Sequence, residues 1–153
     1  MKILKPLILF LLINFGALAL GSWLMNNGPM TDWYTSLNQA PWTPPGWVFG
    51  VAWTIIMVCF SIYLAYLFLK SDSTKLRLAF TLQVFLNVIW NYVFFNQHQV
   101  ALGLVVISAL TVVIFTFFFS NKKEIKNISY LLLPYMVWLL IATSLNAYIL
   151  LNN

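Results

Sequence analysis

The chain has 153 residues, of which 62% are hydrophobic and 7% are charged, and its mean hydropathy is +0.89. A small water-soluble domain cannot cover its surface with so few polar residues, so lipid must be the solvent for much of the chain. A hydrocarbon core of roughly 30 Å takes about 20 apolar residues per helix, which leaves room for about five spans and no separate soluble domain.

The net charge of +5 and the pI near 9.5 would also suit a nucleic-acid-binding protein. The eight cations are divided among three segments that flank apolar stretches, however, and they form no continuous basic stripe. We therefore expect no nucleic-acid binding. The cations are expected to set the topology and to contact anionic lipid head groups.

Five apolar stretches separated by short links predict an all-α integral membrane protein, with a single membrane domain over residues 1–153. The predicted five-transmembrane-helix bundle has its spans at about residues 7–25, 46–69, 78–95, 100–119 and 128–151. The second and fifth stretches exceed the minimum length of a span, which permits tilt.

The positions of the cations predict the orientation of the bundle. They lie before the first span, between the second and third spans, and between the fourth and fifth spans: Lys2, Lys5, Lys70, Lys75, Arg77, Lys122, Lys123 and Lys126. The links 26–45 and 96–99 contain no Lys or Arg. The positive-inside rule then predicts a cytoplasmic N-terminus and an outer C-terminus. The expected location is a bacterial cell membrane.

The N-terminal segment has two further readings. Lys2 and Lys5, followed by an apolar run to Ala17-Leu18-Ala19, also fit a cleavable signal peptide. Cleavage would leave an even number of spans, so we expect the first helix to be retained. Ala17 and Gly21 have the spacing of small residues that favours close contact with another helix or a second subunit.

The link 26–45 is rich in prolines and aromatic residues, including Trp33, Tyr34 and Trp42. Prolines discourage helix, and the aromatic side chains have little reason to face water. We expect an ordered loop folded onto the outer mouth of the bundle; the alternative is an interfacial aromatic belt. Pro44-Pro45-Gly46 predicts a sharp turn into the second span.

Three predicted helices carry aromatic and polar side chains on one face. These residues are Phe49 and Trp53 in the second span, Gln83, Asn87, Trp90 and Asn91 in the third, and Tyr135, Trp138, Ala142 and Asn146 in the fifth. Each set alone is compatible with helix packing through cross-bonded amides. Together with the link they supply ring faces for stacking and a few polar edge groups, which a flat aromatic ligand requires.

Groups for acid–base or metal chemistry are sparse. The acids are Asp32, Asp72 and Glu124, and no two of them form a pair within a span. His98 stands alone in a short outer link, so a surface or capping role is favoured over haem ligation, and Cys59 is expected to be a small buried residue. We therefore expect no metal site and no obligatory cofactor.

Three blocks of the sequence resemble the TspO/MBR family, also called tryptophan-rich sensory or translocator proteins. The first is WYTSLNQAPWTPP at residues 33–45, followed by Trp47-Val48-Phe49 and Trp53. The second is LNxxWNxxFF from Leu86, and the third is LPYxxWxxxATxLN from Leu133. The blocks reach from the first span to the fifth, so the resemblance covers essentially the whole chain.

The resemblance implies a five-helix bundle, often a homodimer, that binds porphyrins such as protoporphyrin IX and, in some members, sterols or isoquinoline-type compounds. The implied ligand-pocket residues are Tyr34, Trp53, Asn87, Trp90, Trp138 and Ala142, to which the aromatic pattern of the link and second span adds Trp42 and Phe49. Some members are reported to promote light-dependent breakdown of protoporphyrin, and Trp53 and Trp138 match the tryptophans implicated in it.

The chain departs from the family pattern at two places. The usual Leu-x-Lys-Pro before the tryptophan is Leu37-Asn38-Gln39-Ala40 here, which removes a loop cation that could meet a porphyrin propionate. The animal-type sterol motif needs Lys or Arg after Tyr148, whereas Ile149 follows. This difference argues against sterol recognition through that motif.

Three hypotheses for function follow. The first is a porphyrin-binding sensor or scavenger, whose light-excited ligand exchanges electrons with adjacent tryptophans. The second is a transporter of porphyrin, sterol or other small hydrophobic molecules, although the inverted repeats and broken helices expected of one are not evident. The third is a structural or interaction protein. The expected partners are a porphyrin or another hydrophobic small molecule, membrane lipids and a second copy of the chain.

Overall fold

The computed structural model describes residues 2–153, which form helical segments and no strand. The α-helices are α1 (Leu4–Leu24), α2 (Asp32–Ser36), α3 (Gly46–Ser71), α4 (Thr74–Asn91), α5 (Val100–Ile125) and α6 (Leu133–Asn152). Short 3-10 segments at Gly28–Met30 and Lys126–Leu132 precede α2 and α6, and a π-helical turn, Tyr92–Asn96, continues α4. The prediction of an all-α chain is confirmed.

Four helical segments of the described chain are long and apolar enough to cross a membrane: Leu4–Met30, Gly46–Ser71, Thr74–Asn96 and Val100–Asn152. The last has 53 residues because α5, the 3-10 segment and α6 are continuous. It folds back on itself, since Asn146 Nδ2 near the end of α6 donates to the carbonyl of Val100 at the start of α5, at 2.9 Å. The chain is therefore a multi-pass integral membrane protein.

The two ends of the bundle differ in chemistry. One end, called the basic end, carries the start of α1, the α3–α4 link and the end of α5, where Lys70 Nζ donates to the carbonyl of Glu124 at 2.8 Å. The other end, called the loop end, is covered by the link 26–45. Asn153 lies at the loop end, because its side chain exchanges hydrogen bonds of 2.8 and 3.1 Å with the backbone of Asn38.

The helices extend beyond the apolar stretches seen in the sequence. α5 continues to Ile125 rather than residue 119, and Lys122 in its last turn lies over the rings of Phe118 and Tyr130, at 5.3 and 5.6 Å. α4 begins at Thr74 rather than residue 78, because the Ser73 hydroxyl caps it. Apolar composition marks the hydrocarbon layer, whereas helical hydrogen bonding continues into the interface.

α6 begins at Leu133 rather than residue 128. Pro134 is the physical reason, because proline lacks a backbone N–H and is tolerated only in the first turn of a helix. The regular α-helical part of α4 likewise ends at Asn91, and the π-helical turn carries the chain to Asn96. The turn buries Phe94 and Phe95 at the loop end.

The half of the bundle next to the basic end is solidly packed. Phe60 is fully buried, and four rings have centroids between 5.3 and 6.3 Å from its own: Tyr63, Phe80, Phe117 and Tyr135. Edge-to-face and tilted pairs of this kind stabilise a core beyond the burial of area. Open space in the bundle is therefore concentrated at the loop end.

The link 26–45 is fixed to the helices beneath it. Trp33 stacks on His98 with a centroid distance of 4.0 Å and an interplanar angle of 7°. Gly28 lies against Phe95 so closely that a Cβ would fall 2.5 Å from the ring, so only glycine permits this contact. The sequence favoured a surface or capping role for His98, which is exposed and stacks on Trp33 of the link.

Candidate functional site

A cavity of about 530 Å³ lies under the link at the loop end. The link and all five long helices contribute to its wall. Its volume falls in the range of about 300–1,000 Å³ that is typical of small-molecule sites. The fold therefore provides a space of the right size for a ligand.

Aromatic rings from three helices form much of the wall. Trp53 and Phe49 come from α3, Trp90 from α4 and Trp138 from α6. Phe49 meets Trp138 edge to face at 5.1 Å and 87°, and Trp53 meets Tyr135 at 5.9 Å and 75°. Edge contacts of this kind stabilise aromatic pairs. Trp90 stacks on Phe94 at 5.2 Å and 15°, and all four rings of the wall border the open space of the cavity.

Amides on α4 supply the polar part of the wall. Asn87 and Asn91 are one turn apart, and Asn91 Nδ2 donates to the carbonyl of Asn87 at 3.1 Å. A Cβ on Gly21 of α1 would lie 2.7 Å from Asn91 Nδ2, so glycine allows α1 to approach α4 here. Of the two small residues on α1, Gly21 thus serves a contact with another helix of the chain.

Tyr34 reaches the cavity from the link. Its backbone N–H donates to the Thr31 hydroxyl at 3.3 Å, and its carbonyl accepts from Gln39 Nε2 at 3.1 Å. Its ring packs against Phe95 with a centroid distance of 5.3 Å. Burial raises the pKa of the Tyr34 phenol, so the group is neutral near pH 7 and can donate a hydrogen bond.

The lining residues of this cavity carry no charged group. They include no Lys, Arg, Asp, Glu or His, and Gln39 lines the wall where the resembled family usually has lysine. Hydroxyls, amides and indole N–H groups are its polar side-chain groups. The site can bind and orient a largely uncharged molecule, and it offers no side chain for acid–base catalysis near pH 7.

Seven of the eight ligand-binding residues predicted from the sequence line this cavity: Tyr34, Phe49, Trp53, Asn87, Trp90, Trp138 and Ala142. Trp42 lies outside its wall. The Trp42 indole Nε1 donates to the Ser144 hydroxyl at 3.0 Å, and its ring meets Tyr148 edge to face at 5.4 Å. Trp42 therefore fastens the link to α6.

Three further residues of the predicted polar faces, Gln83, Tyr135 and Asn146, lie outside the cavity wall. Gln83 Nε2 donates to the Tyr135 hydroxyl at 2.8 Å, and both side chains are almost completely buried. Asn146 is buried behind Trp90. These two amides are hydrogen-bonded between helices, which is the packing alternative that the sequence left open.

Two parts of the wall were not predicted from the sequence. Ala17, Leu18 and Ser22 of α1 line the cavity, as do Gly46 and Gly50 of α3. A Cβ on either of these glycines would meet no atom within 4 Å outside its own helix, so this side of the cavity is open. The sequence feature that could have predicted the α3 part of the wall is the spacing of Gly46, Gly50 and Thr54, which places three small residues one turn apart on that helix.

No group of three or more His, Cys, Asp or Glu side chains that could hold a metal ion lies between residues 2 and 153. Asp72 is paired with Arg77 through Nε at 2.8 Å and through Nη2. The hydrogen bond from Arg77 holds the pKa of the Asp72 carboxyl below its usual range. This carboxylate belongs to the basic end and is remote from the cavity.

The fold and the site define a polytopic helical membrane protein with an uncharged, aromatic, small-molecule-sized cavity under an ordered link. Residues 8–151 match the TspO/MBR family, and the chain belongs to that family. The resemblance seen in the sequence is thereby confirmed.

Relatives from distant organisms match across most of their length. The chain is 30% identical to the tryptophan-rich protein TspO of Archaeoglobus fulgidus, covering 100% of this chain and 97% of the relative. It is 32% identical to protein CrtK of Rhodobacter capsulatus over 74% of each chain. It is 27% identical to the human translocator protein over 78% of this chain and 74% of the human one.

Proposed function

We propose that this protein crosses the membrane five times and binds a flat tetrapyrrole of the protoporphyrin IX type in the cavity at the loop end. In this proposal it acts as a sensor or scavenger of the ligand. The observation that carries the proposal is the wall of the cavity, in which rings from three helices and the link surround about 530 Å³ of space with amide and hydroxyl groups at its edges.

The length of the last helical segment supports five crossings. At about 1.5 Å per residue, its 53 residues would extend roughly 80 Å if straight, whereas the hydrocarbon core is about 30 Å thick. The segment reverses at the 3-10 stretch Lys126–Leu132, where Lys126 has a φ of 47°. α5 and α6 then each provide one crossing.

Chemical matching supports a tetrapyrrole. A planar conjugated macrocycle gains most from stacked and edge contacts, which Trp53, Trp90 and Trp138 can supply. Its inner and peripheral polar atoms need only a few hydrogen bonds, which Asn87 and the Tyr34 phenol can supply. Because no cation lines the cavity, we propose that the carboxylates of the ligand remain at the mouth, in contact with water or lipid head groups.

Light-dependent breakdown of the ligand is a second part of this proposal. Trp53 and Trp138 line the same cavity, so a bound macrocycle would lie close to both indoles. In the proposed step the light-excited porphyrin accepts one electron from an indole, which gives a porphyrin radical anion and an indole radical cation. Dioxygen then adds to the radical anion and cleaves one carbon–carbon bond of the macrocycle, so that both oxygen atoms enter the opened product. The electron returns to the indole radical cation, and the net reaction is porphyrin plus dioxygen to the ring-opened product. The ligand carries this chemistry and the protein orients it.

Transport is the alternative function. The unfilled side of the cavity at Gly46 and Gly50 favours exchange of a hydrophobic ligand with the surrounding lipid, and one relative is named translocator protein. Against it, the aromatic packing around Phe60 fills the bundle below the cavity. The hydrogen bond from Gln83 to Tyr135 lies in the same region. Release at the basic end would require these contacts to separate.

Titration of the purified protein with protoporphyrin IX tests the proposal. We expect a shift of the Soret band and quenching of tryptophan fluorescence in the dark, followed by loss of the band with new products under illumination. Binding without any light-driven change would support the sensor function and refute the proposed light-dependent breakdown of the ligand. Saturable flux of porphyrin into sealed vesicles would favour transport, and no binding at micromolar ligand would refute the proposal.

A further inference from the structure

A second cavity, of about 460 Å³, lies on the outer surface of the bundle near the basic end. It is a groove whose sides are Ile13 of α1 and Val84 and Phe85 of α4, with Phe68 of α3 behind them. Phe85 is 59% exposed, so the groove faces the lipid rather than the interior. Arg77 stands at the end of the groove that is nearest the start of α4.

Two rings that line the groove, Phe68 and Phe80, are packed against each other and against Phe10, which lies outside the lining. Phe10 lies 4.9 Å from Phe68 and 5.3 Å from Phe80, and Phe68 lies 6.3 Å from Phe80. Phe10 and Phe80 are buried and each touches a ring on a different helix. Packing of this kind keeps the groove open, because the packed side chains cannot move into the space.

The direction and depth of the groove fit an acyl chain. Arg77, Thr81, Val84 and Phe85 follow one face of α4, and eight residues of helix span about 12 Å. Half the hydrocarbon core is about 15 Å thick. The groove therefore runs from the membrane surface towards the midplane over most of one leaflet.

The polar end of the groove holds the Arg77–Asp72 ion pair, and the basic end around it has a net positive charge, because its eight cations face only the acids Asp72 and Glu124. The Arg77 side chain is 69% exposed, and it contacts Asp72 through Nε and Nη2. Nη1 donates to no residue between positions 2 and 153, so that edge of the guanidinium can meet a phosphate oxygen. Lys75 lies two residues before Arg77, and all eight cations of the chain lie at this end.

We propose that this groove binds an anionic phospholipid, with its phosphate at the free edge of Arg77 and one acyl chain between α1 and α4. The negative charge of the head group must supply the preference for an anionic lipid over a neutral one. The acyl chain cannot supply it, because the acyl chains elsewhere in the bilayer are as apolar as the groove. A zwitterionic phospholipid of the same chains would fit the groove equally well and lack the net charge. This site is separate from the tetrapyrrole cavity and does not depend on it.

Native mass spectrometry of lipids retained by the purified protein tests the proposal. The protein is delipidated, exchanged into nanodiscs with equal amounts of phosphatidylglycerol and phosphatidylcholine of identical chains, and released. We expect phosphatidylglycerol to be retained about fivefold over phosphatidylcholine, the effect of one cation near a membrane surface. Arg77→Gln should bring the ratio close to one, and Arg77→Lys should preserve most of it.

Matched controls separate a groove from a diffuse positive surface. Lys123→Gln removes the same charge from the same end, on α5, and should leave the ratio unchanged. Asp72→Asn should raise the ratio, because it frees the guanidinium from its carboxylate partner. Equal losses for Arg77→Gln and Lys123→Gln would overturn the proposal.

Filling the groove provides a test that does not depend on charge. Thr81→Trp places a ring in the groove from an exposed position and should lower retention of both lipids. Thr116→Trp is the control, since Thr116 is also exposed and also donates its hydroxyl to the carbonyl four residues earlier. If Thr81→Trp retained phosphatidylglycerol as well as Thr116→Trp does, the lipid would not lie in this groove.

Discussion

The indole Nε1 of Trp90 donates a hydrogen bond to Oδ1 of Asn146 at 3.1 Å, and this bond joins α4 to α6. The same amide donates through Nδ2 to the carbonyl of Val100 on α5. Asn146 is only 2% exposed, and Gly103 leaves room for it, since a Cβ there would lie 3.1 Å from Oδ1. One buried amide therefore ties three helices together and sets the orientation of a ring in the cavity wall.

Replacement of Asn146 with Ala should destabilise the protein and loosen Trp90. We expect the free energy of unfolding to fall by about 1–2 kcal/mol, because interhelical hydrogen bonds in membrane proteins contribute about 0.6 kcal/mol each and the truncation leaves a cavity. Denaturation in mild detergent, followed by tryptophan fluorescence, measures the change. Asn152→Ala, at an exposed position on the same helix, is the control, and equal stability of the two variants would contradict this role.

The sequence predicted most of the cavity because its residues combine two signals. Trp53, Asn87, Trp90 and Trp138 are aromatic or amide side chains inside spans, where such groups must face protein or a cavity. Helical spacing then assigns them to a common face. Residue type and helical spacing are local features of the sequence, so this prediction does not require knowledge of how the helices pack.

The remaining features depend on tertiary contacts that no local pattern encodes. Trp42 and Tyr34 lie in the same proline-rich link, and only the packing of Trp42 on Ser144 and Tyr148 separates their roles. From the sequence, Ala17 could equally pack against a helix or border a cavity. In the structure it borders the cavity, which is open on the side of Gly50 of α3. Small residues indicate that another part of the molecule or a cavity lies close to the helix, and the sequence alone does not show which of the two it is.

Ala142→Phe should reduce binding of protoporphyrin IX while the protein stays folded. Ala142 lines the cavity one turn from Trp138, and a ring there would occupy the ligand's space, at a cost of roughly 1–3 kcal/mol. We expect affinity to drop at least ~10-fold, since each 1.4 kcal/mol is tenfold, as measured by Soret titration. Ala101→Phe, at an exposed position of α5, is the control. Normal affinity with lowered thermal stability would assign Ala142 to helix packing instead.

Two glycines should respond in opposite ways to enlargement. Gly50→Leu adds a side chain where a Cβ meets no neighbour, so stability should be kept or slightly increased while access to the cavity is obstructed. Gly21→Leu forces a Cβ to within 2.7 Å of Asn91 Nδ2 and should destabilise the contact between α1 and α4. Melting temperature and stopped-flow quenching by protoporphyrin IX measure both effects. An unchanged association rate in Gly50→Leu would show that ligand enters elsewhere.

The termini should lie on opposite sides of the membrane, with the N-terminus in the cytoplasm. Lys2 and Lys5 lie at the basic end with the other cations, whereas Asn153 is hydrogen-bonded to Asn38 at the loop end. The positive-inside rule retains such a basic end in the cytoplasm. Fusions of a cytoplasmic and a periplasmic reporter to each terminus measure this directly. Activity of the same reporter at both termini would contradict five crossings.

The double substitution Trp53→Phe and Trp138→Phe should abolish most light-driven breakdown of protoporphyrin IX while leaving much of its binding in the dark. Phenylalanine keeps a stacking face in the cavity, so the fold and the site lose little volume, yet it is a much weaker electron donor than indole. The measurement is the rate of Soret bleaching per bound porphyrin, compared at equal occupancy. The matched control is Trp23→Phe with Trp47→Phe, which removes two indoles that are 75% and 71% exposed and lie outside the cavity wall. Equal bleaching by both double variants would exclude electron transfer from the cavity tryptophans, and the binding function would stand on the dark titration alone.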